Sequence, residues 1–270
     1  MKSVNYALTT VISASLLVGC VKNPNYPQDP YENFNRNMFK FNTCLDKVLY
    51  RPVAKVYSHI TPEPFQHGVT RVFANVEEGT AFVNDIFQGK FRYALIDLTR
   101  FVVNTSLGIG GFFDVAVHAG LPKHSNDFGM TMAYYSANGN SPYVVLPFLG
   151  PSTMRDAFAI PFNTATTYVA YLYDRPLKYT LGIVYYVNLR ASLLPMDKLL
   201  YESFDPYAAM RDAYLQHRNT KVALNRAEGD YRPGQIVAEI PVAPVPVNAG
   251  SVEPPPDDDF TFGDDPKKSH

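Results

Sequence analysis

The sequence predicts an all-α fold built from many short and medium helices. Three dipeptides, Asp29-Pro30, Thr61-Pro62 and Asp205-Pro206, place a capping side chain directly before a proline, as at the start of a helix. Apolar residues recur at helical spacing after the first of these starts. No sustained alternation of apolar and polar residues demands a large sheet. These observations together indicate a helical protein with frequent turns.

The first predicted helix begins with a segment that combines an N-cap, a first-turn proline and a capping-box glutamate, residues 29–32. One face is apolar and includes Cys44, for which we expect a small buried thiol. The opposite face is rich in amides. The apolar positions are Tyr31, Phe34, Met38, Phe41, Leu45 and Val48. The amides are Asn33, Asn35, Asn37 and Asn42.

Later segments carry equally clear helix boundaries. Residues 91–107 read as a helix that stops at a glycine cluster, and a further helix is expected from residue 112 to about residue 119. A helix through residues 190–194 ends before Pro195, where another short helix begins. Proline and glycine recur too closely for a long coiled coil.

Residues 134–150 differ from their surroundings because turn-forming residues flank a short β-prone strip. The strip is Tyr143-Val144-Val145-Leu146, and its pattern predicts a hairpin or an ordered loop. A long loop with its own apolar content is more often functional than slack. The candidate site residues of this loop are Tyr134, Gly139, Asn140, Pro142, Tyr143, Pro147 and Gly150.

The N-terminus has the pattern of a bacterial lipoprotein signal. Lys2 precedes an apolar run over residues 7–18, and Gly19 is followed at once by Cys20. We expect cleavage before Cys20 and lipid on that cysteine, since the run is too short to span a bilayer permanently. The alternative is a buried cysteine in a core helix. Val21 is not acidic, which favours the outer membrane over inner-membrane retention.

The domain organisation follows from these signals. We expect a signal peptide over residues 1–19, a lipidated linker over 20–28, a helical domain over 29–232 and a disordered, Pro-rich acidic tail over 233–270. The linker is short, so the helical domain begins at the membrane surface. No window after Cys20 has the 18 uninterrupted apolar residues of a conventional spanning helix.

Composition and motifs argue against several functional classes. A net charge of -1 gives no reason to expect nucleic acid as a partner. The chain has no nucleophile elbow, no P-loop and no metal-binding spacing among its histidines, so we expect no catalytic residue, no metal and no cofactor. Glu77 and Glu78 are adjacent and would point in different directions on a helix. The histidines are His59, His67, His118, His124, His217 and His270.

Several ordered segments together resemble the MlaA (VacJ-like) family of outer-membrane lipoproteins. They extend from residue 29 to about residue 226, at similar spacing, and the acidic tail lies outside the resemblance. The matching segments are Asp29-Pro30-Tyr31-Glu32-Asn33-Phe34-Asn35-Arg36, Arg51-Pro52-Val53-Ala54, Asn75-Val76-Glu77-Glu78, Phe87-Gln88-Gly89, residues 99–116, Asp127-Phe128-Gly129, Pro142-Tyr143-Val144-Val145-Leu146-Pro147, Arg155-Asp156 and Ser203-Phe204-Asp205-Pro206-Tyr207.

The resemblance implies a ring-like helical fold within the outer membrane, with a polar central channel and the 134–150 hairpin near it. It also implies removal of misplaced phospholipids from the outer leaflet, delivery to a soluble periplasmic carrier, and association with a trimeric porin. Asn33, Asn37 and Lys178 are candidate lumen residues. Two alternatives stay open: a lipoprotein scaffold that stabilises porins or the envelope without moving lipid, and a lipid hydrolase.

Overall fold

The computed structural model describes residues 26–137, 139–167 and 174–229. The predicted signal peptide, the lipidation residue Cys20 and the 233–270 tail lie outside the described residues. Within them the chain is predominantly helical with one two-stranded sheet, which confirms the all-α prediction.

Ten α-helices are named here in chain order. They are α1 (Glu32–Leu45), α2 (Arg51–Ile60), α3 (Glu63–Phe87), α4 (Phe91–Ser106), α5 (Val115–His118), α6 (Phe128–Tyr135), α7 (Met154–Thr166), α8 (Arg175–Leu193), α9 (Asp197–Tyr201) and α10 (Pro206–Gly229). A π-helical turn, Asp46–Tyr50, joins α1 to α2, and a 3-10 turn, Leu194–Met196, joins α8 to α9 at the predicted proline.

The two Asp-Pro starts behave differently. Asp205 caps α10, because its Oδ1 accepts from the backbone N–H groups of Tyr207 at 3.0 Å and Ala208 at 3.2 Å. The prediction that Asp29 caps α1 is wrong. Its carboxylate is fully buried and accepts from Asn35 Nδ2 at 2.8 Å, from the Tyr207 hydroxyl and from Arg211 Nη1 at 3.3 Å. The side chain of Asp29 therefore binds other side chains in the folded protein and none of the backbone N–H groups at the start of α1.

Helix α4 shows how the interior and exterior of this protein are divided. Its outer stripe of large apolar side chains is exposed, while its inner stripe holds polar and charged residues. The exposed stripe is Phe91 (65%), Leu95 (63%), Leu98 (38%) and Val102 (53%). The buried stripe is Ala94, Asp97, Arg100 and Asn104. The helix is therefore amphipathic with its polar side inward, the reverse of a helix in a water-soluble core.

The same division holds across the described chain, where buried polar residues outnumber buried apolar ones. Large apolar side chains are exposed on several other helices, among them Ile60 (71%) on α2 and Leu199 (80%) on α9. Cys44 lies on such an outward face and is exposed, so the expectation of a buried thiol is wrong. The apolar face of α1 is divided: Met38 packs against the buried cluster around Tyr143, whereas Phe41, and Val48 in the π-helical turn after α1, are exposed like Cys44.

The buried charge of Arg100 is paired, as its burial requires. Arg100 donates from Nε to Glu78 Oε1 at 2.8 Å, from Nη2 to Asp114 Oδ2 at 3.0 Å and from Nη1 to the Leu121 carbonyl at 2.6 Å. Asp114 also caps α5 by accepting from the Val117 N–H at 3.3 Å. The helix expected from residue 112 therefore begins only at Val115.

The predicted hairpin is present. The apolar strip forms β1 (Tyr143–Leu146), which pairs antiparallel with β2 (Gly150–Thr153), Tyr143 opposite Thr153 and Leu146 opposite Gly150. Phe148 in the turn and Gly150 at the start of β2 both have a positive φ, of 66° and 86°. The Tyr143 N–H also donates to the Gln28 carbonyl at 2.8 Å. At least residues 26–28 of the predicted linker thus pack against the helical domain.

No helix among the described residues is both long enough and apolar enough to cross a membrane.

Candidate functional site

A cleft of about 640 Å³ opens between α3, α7, α8 and α10, with residues 123–127 forming one further wall. Its apolar lining includes Phe73, Ile160, Leu181 and Tyr185, and the rings of Phe73 and Tyr185 pack edge to face at 5.0 Å. Polar side chains line the remainder. This combination of an apolar wall with a few convergent polar groups is typical of a ligand-binding cleft.

Three lysines and two carboxylates line the cleft, and one of the carboxylates, Asp127, is paired with Arg218. Lys123, Lys178 and Lys221 all line it, together with Glu77. Glu77 remains accessible from the cleft, but the surrounding protein withdraws it from bulk water, which raises the pKa of its carboxyl group. Lys123 and Lys221 partly oppose that rise by their positive charge. The site therefore carries more positive than negative groups, as an anion-binding site requires.

Arg218 anchors one wall of the cleft through Asp127, which lines it. Its guanidinium binds both oxygens of Asp127, at 2.7 and 2.8 Å, and both oxygens of Asp156, at 2.7 and 2.8 Å. Burial alone would raise the pKa of Asp127, but the hydrogen bonds from Arg218 hold it below its usual range. Asp127 also caps α6 by accepting from the Met130 N–H at 2.9 Å. One arginine thus fixes the starts of α6 and α7 against α10.

The adjacent glutamates of α3 diverge as expected. Glu78 points inward to Arg100 and is 2% exposed, whereas Glu77 lines the cleft. They do not form a paired acid-base site.

Of the three candidate lumen residues, the structure places only Lys178 in the cleft. Asn33 and Asn37 are exposed on α1 and are not among the residues that line it. The amides of α1 that do engage other elements are Asn35 and Asn42. Their carboxamides bind the backbone of the hairpin.

The candidate hairpin residues also lie away from the cleft lining. Tyr143 is fully buried between the rings of Tyr207 and Tyr214, at 6.3 and 6.0 Å. The Gly139 carbonyl accepts from Arg155 Nη1 at 2.5 Å. The others occupy four kinds of position: Tyr134 in the last turn of α6, Asn140 and Pro142 in the exposed connection to β1, Pro147 in the turn, and Gly150 at the start of β2.

Sequence reasoning missed Lys123, Lys221 and Glu77 as cleft residues. Each comes from a different segment, and none belongs to a local motif with a chemical signature. Only the fold brings them together.

The fold and the site define an all-α protein with a largely polar interior, exposed apolar faces on several helices and a positively charged cleft. The sequence profile of the MlaA lipoprotein family matches residues 27–221. The chain belongs to the MlaA lipoprotein family.

Relatives and a solved structure agree with this assignment. Two proteins named "Intermembrane phospholipid transport system lipoprotein MlaA" are 37% identical (Shigella flexneri) and 36% identical (Escherichia coli, strain K12), and each match covers 77% of this chain and 85% of the relative. The Haemophilus influenzae protein of that name is 32% identical, and the match covers 80% of this chain and 89% of the relative. A structure from work on the "structural basis for maintenance of bacterial outer membrane lipid asymmetry" aligns with a TM-score of 0.63 at 36% identity, covering 72% of this chain and 98% of that one.

Proposed function

We propose that this chain is an outer-membrane lipoprotein that removes phospholipids from the outer leaflet and passes them through a polar channel to a soluble periplasmic carrier. In this role it maintains the lipid asymmetry of the outer membrane and carries out no catalysis. Cys20 carries the lipid anchor, and a trimeric porin is the expected membrane partner. The names of the relatives, lipoproteins of an intermembrane phospholipid transport system, support phospholipid as the cargo.

The single observation that carries the proposal is the reversed amphipathicity of the fold around a charged cleft. The exposed stripe of α4, from Phe91 to Val102, matches lipid tails, because apolar side chains of this size and number are costly to leave in water. The inward stripe of the same helix is polar. A protein with this division is suited to lie among acyl chains while keeping its own centre polar.

The cleft supplies what a moving headgroup needs. Stripping a charged headgroup of water without replacement costs several kcal/mol or more. Lys123, Lys178 and Lys221 offer positive charge to the phosphate, and the apolar wall around Tyr185 offers contact to the first carbons of the tails. The headgroup therefore stays solvated by protein and water along its route.

The test compares outer-leaflet phospholipid in four strains: wild type, a clean deletion, and the deletion complemented by either of two variants. The cleft variant combines Lys123→Glu with Lys221→Glu. The matched control combines Lys40→Glu with Lys55→Glu, which reverses two exposed lysines on α1 and α2. We expect the deletion and the cleft variant to raise surface phospholipid and detergent sensitivity, and the control to restore both to wild-type levels.

Other outcomes separate the competing functions. An unchanged outer leaflet in the clean deletion would contradict lipid removal altogether. A cleft variant that is folded and porin-bound yet clears phospholipid at the wild-type rate would exclude the cleft as the route. Loss of porin stability with normal lipid clearance in the deletion would favour the scaffold, and release of fatty acid by the purified protein would favour a hydrolase.

A further inference from the structure

Two aspartates and a histidine meet behind the wall of the cleft. Asp85 comes from the end of α3, Asp97 from the middle of α4 and His124 from the segment before α6. His124 Nδ1 lies 3.2 Å from Asp85 Oδ2 and 3.1 Å from Asp97 Oδ2, and the ligand atoms of the three residues all fall within 4.8 Å of one another. Both aspartates are 0% exposed. This spacing matches three ligands around one cation.

Only one oxygen of each aspartate is satisfied by a protein group at this point. Asp85 Oδ2 and Asp97 Oδ1 are buried and have no hydrogen-bond partner. The single hydrogen that His124 Nδ1 can carry serves one oxygen only. A buried carboxylate oxygen without a donor costs about 1–3 kcal/mol, and more when it is charged. An unpartnered oxygen on each aspartate, with Asp85 Oδ2 facing the ring nitrogen at 3.2 Å, therefore points to a cation held between the two carboxylates.

The surrounding side chains orient the three ligands in the manner of a metal site. His124 Nε2 lies 2.9 Å from Glu228 Oε2, which accepts its hydrogen. The lone pair of a neutral ring then sits on Nδ1, facing the two aspartates. Asn126 Nδ2 donates to Asp85 Oδ1 at 2.6 Å and fixes that carboxylate. Carboxylate–histidine–metal arrangements of this kind are a regular feature of protein metal sites.

The local charge balance points the same way. Three carboxylates, of Asp85, Asp97 and Glu228, surround the histidine, and Lys90 Nζ is 3.8 Å from Glu228 Oε2. With a neutral imidazole, the ammonium cancels one carboxylate and two negative charges remain. A divalent cation would neutralise them.

We infer that Asp85, Asp97 and His124 form a divalent transition-metal site, for which Zn²⁺ is the best fit. One imidazole nitrogen and two carboxylate oxygens are a ligand set that zinc accepts, with a water in the fourth position, and the imidazole disfavours Mg²⁺ and Ca²⁺. The ion would clamp α3, α4 and the 123–127 wall of the cleft together. The sequence contains no metal motif because these ligands come from three separate segments.

The test uses the full chain, purified in detergent, stripped with a chelator and then titrated with Zn²⁺ alone. Metal that stays bound after gel filtration is measured by elemental mass spectrometry. The affinity for zinc is measured by isothermal titration calorimetry, and Tm is measured by differential scanning calorimetry. We expect close to one equivalent of zinc, and a Tm rise of about 5 °C when free zinc is a hundredfold above Kd. Mg²⁺ at the same concentration should leave Tm unchanged.

Variants assign the ligands. Asp97→Asn and His124→Gln should weaken zinc binding by about a hundredfold or more. Glu228→Gln, at a partly exposed position, should keep the fold and still weaken binding by about 10–100-fold. The control Asp212→Asn changes an exposed carboxylate outside the cluster and should bind like wild type.

Three results would overturn the inference: a folded wild type that takes up no stoichiometric zinc, an Asp97→Asn protein that binds it equally tightly, or a folded Glu228→Gln protein with unchanged affinity. A metal-free wild type would mean that a proton on Nδ1 fills this place. None of these results bears on lipid transport, which the deletion strain tests separately.

Discussion

Asn35 and Asn42 lie seven residues apart on the same face of α1, and each uses its carboxamide to bind the hairpin backbone twice. Asn35 donates to the Tyr143 carbonyl at 3.2 Å and accepts from the Val145 N–H at 2.8 Å. Asn42 donates to the Leu146 carbonyl at 2.8 Å and accepts from the Phe148 N–H at 2.8 Å. The two amides satisfy the open edge of β1 as a neighbouring strand would.

The first prediction concerns Asn35. Asn35→Ala removes these bonds and the one to Asp29, leaving buried backbone groups without partners. We expect a loss of about 2–3 kcal/mol in the free energy of unfolding, measured by denaturant titration in detergent. Asn37→Ala, at an exposed position two residues away, is the control and should stay within about 0.5 kcal/mol of wild type. Equal losses in both variants would contradict the hairpin contact.

The second prediction concerns how the contribution of Asp127 to the free energy of unfolding depends on pH. Its folded pKa is held below the usual value by Arg218, so its contribution to stability is present above pH ~4 and disappears as the pH falls through the lowered folded value. Asp127→Asn should therefore cost about 2 kcal/mol at neutral pH. The difference in the free energy of unfolding between wild type and Asp127→Asn should decrease in acid, because protonation of Asp127 removes its contribution in the wild type.

Unfolding curves at several pH values check this dependence. Glu202→Gln, at an exposed carboxylate, serves as the comparison and should track wild type throughout. A gap between wild type and Asp127→Asn that stays constant from neutral pH to acid would show that the ion pair with Arg218 is not its source.

The third prediction uses one substitution at two glycines. A Cβ at Gly129 would lie 2.2 Å from Asp156 Oδ1 and 2.8 Å from Arg218 Nη2, so Gly129→Ala should disturb that ion pair and cost about 1–3 kcal/mol. A Cβ at Gly79, inside α3, meets nothing within 4 Å. Gly79→Ala should stabilise the protein by about 0.5–1 kcal/mol. Thermal scans of the two proteins should shift Tm in opposite directions, and shifts of the same sign would refute the packing argument.

The fourth prediction tests whether the outer stripe of α4 meets lipid. In a chain that lacks the proposed lipid anchor because of Cys20→Ser, Leu95→Glu should weaken partition into phospholipid vesicles about tenfold, which corresponds to about 1.4 kcal/mol. Gln216→Glu adds the same charge at an exposed polar position of α10 and should have little effect. Flotation assays measure both. Equal partition of the two variants would mean that α4 faces water.

Periodicity predicted the helices well and their orientation poorly. Residues 91–107 were expected as one helix, and α4 runs from Phe91 to Ser106. The pattern of apolar residues fixes that a helix has two faces, but not which face turns inward. Cys44 was assigned to the interior for this reason and is exposed. The usual assumption is that the apolar face of an amphipathic helix packs inward, and this assumption fails for helices such as α4 that turn their polar face inward.

The cleft lay further beyond prediction. Local motifs found the hairpin strip, because a β-prone run between turn residues is a short-range signal. The sequence points to Lys178 but not to Lys123, Lys221 and Glu77, since these converge only when α3, α10 and the 123–127 segment pack together. Asp29 shows the same limit: the sequence motif for a cap was present, and long-range partners, Tyr207 and Arg211, determined the outcome.

The attachment of the hairpin tip has a mechanical consequence. The Phe148 ring packs edge to face on Phe41 at 5.3 Å, beside the Asn42 clamp, so β1, the tip and α1 are tied at both ends of the strand. A hairpin held in this way cannot move independently of α1. Any motion that opens or closes a passage would therefore move the hairpin and α1 together as one rigid unit. The backbone would bend where α1 ends, at the π-helical turn Asp46–Tyr50.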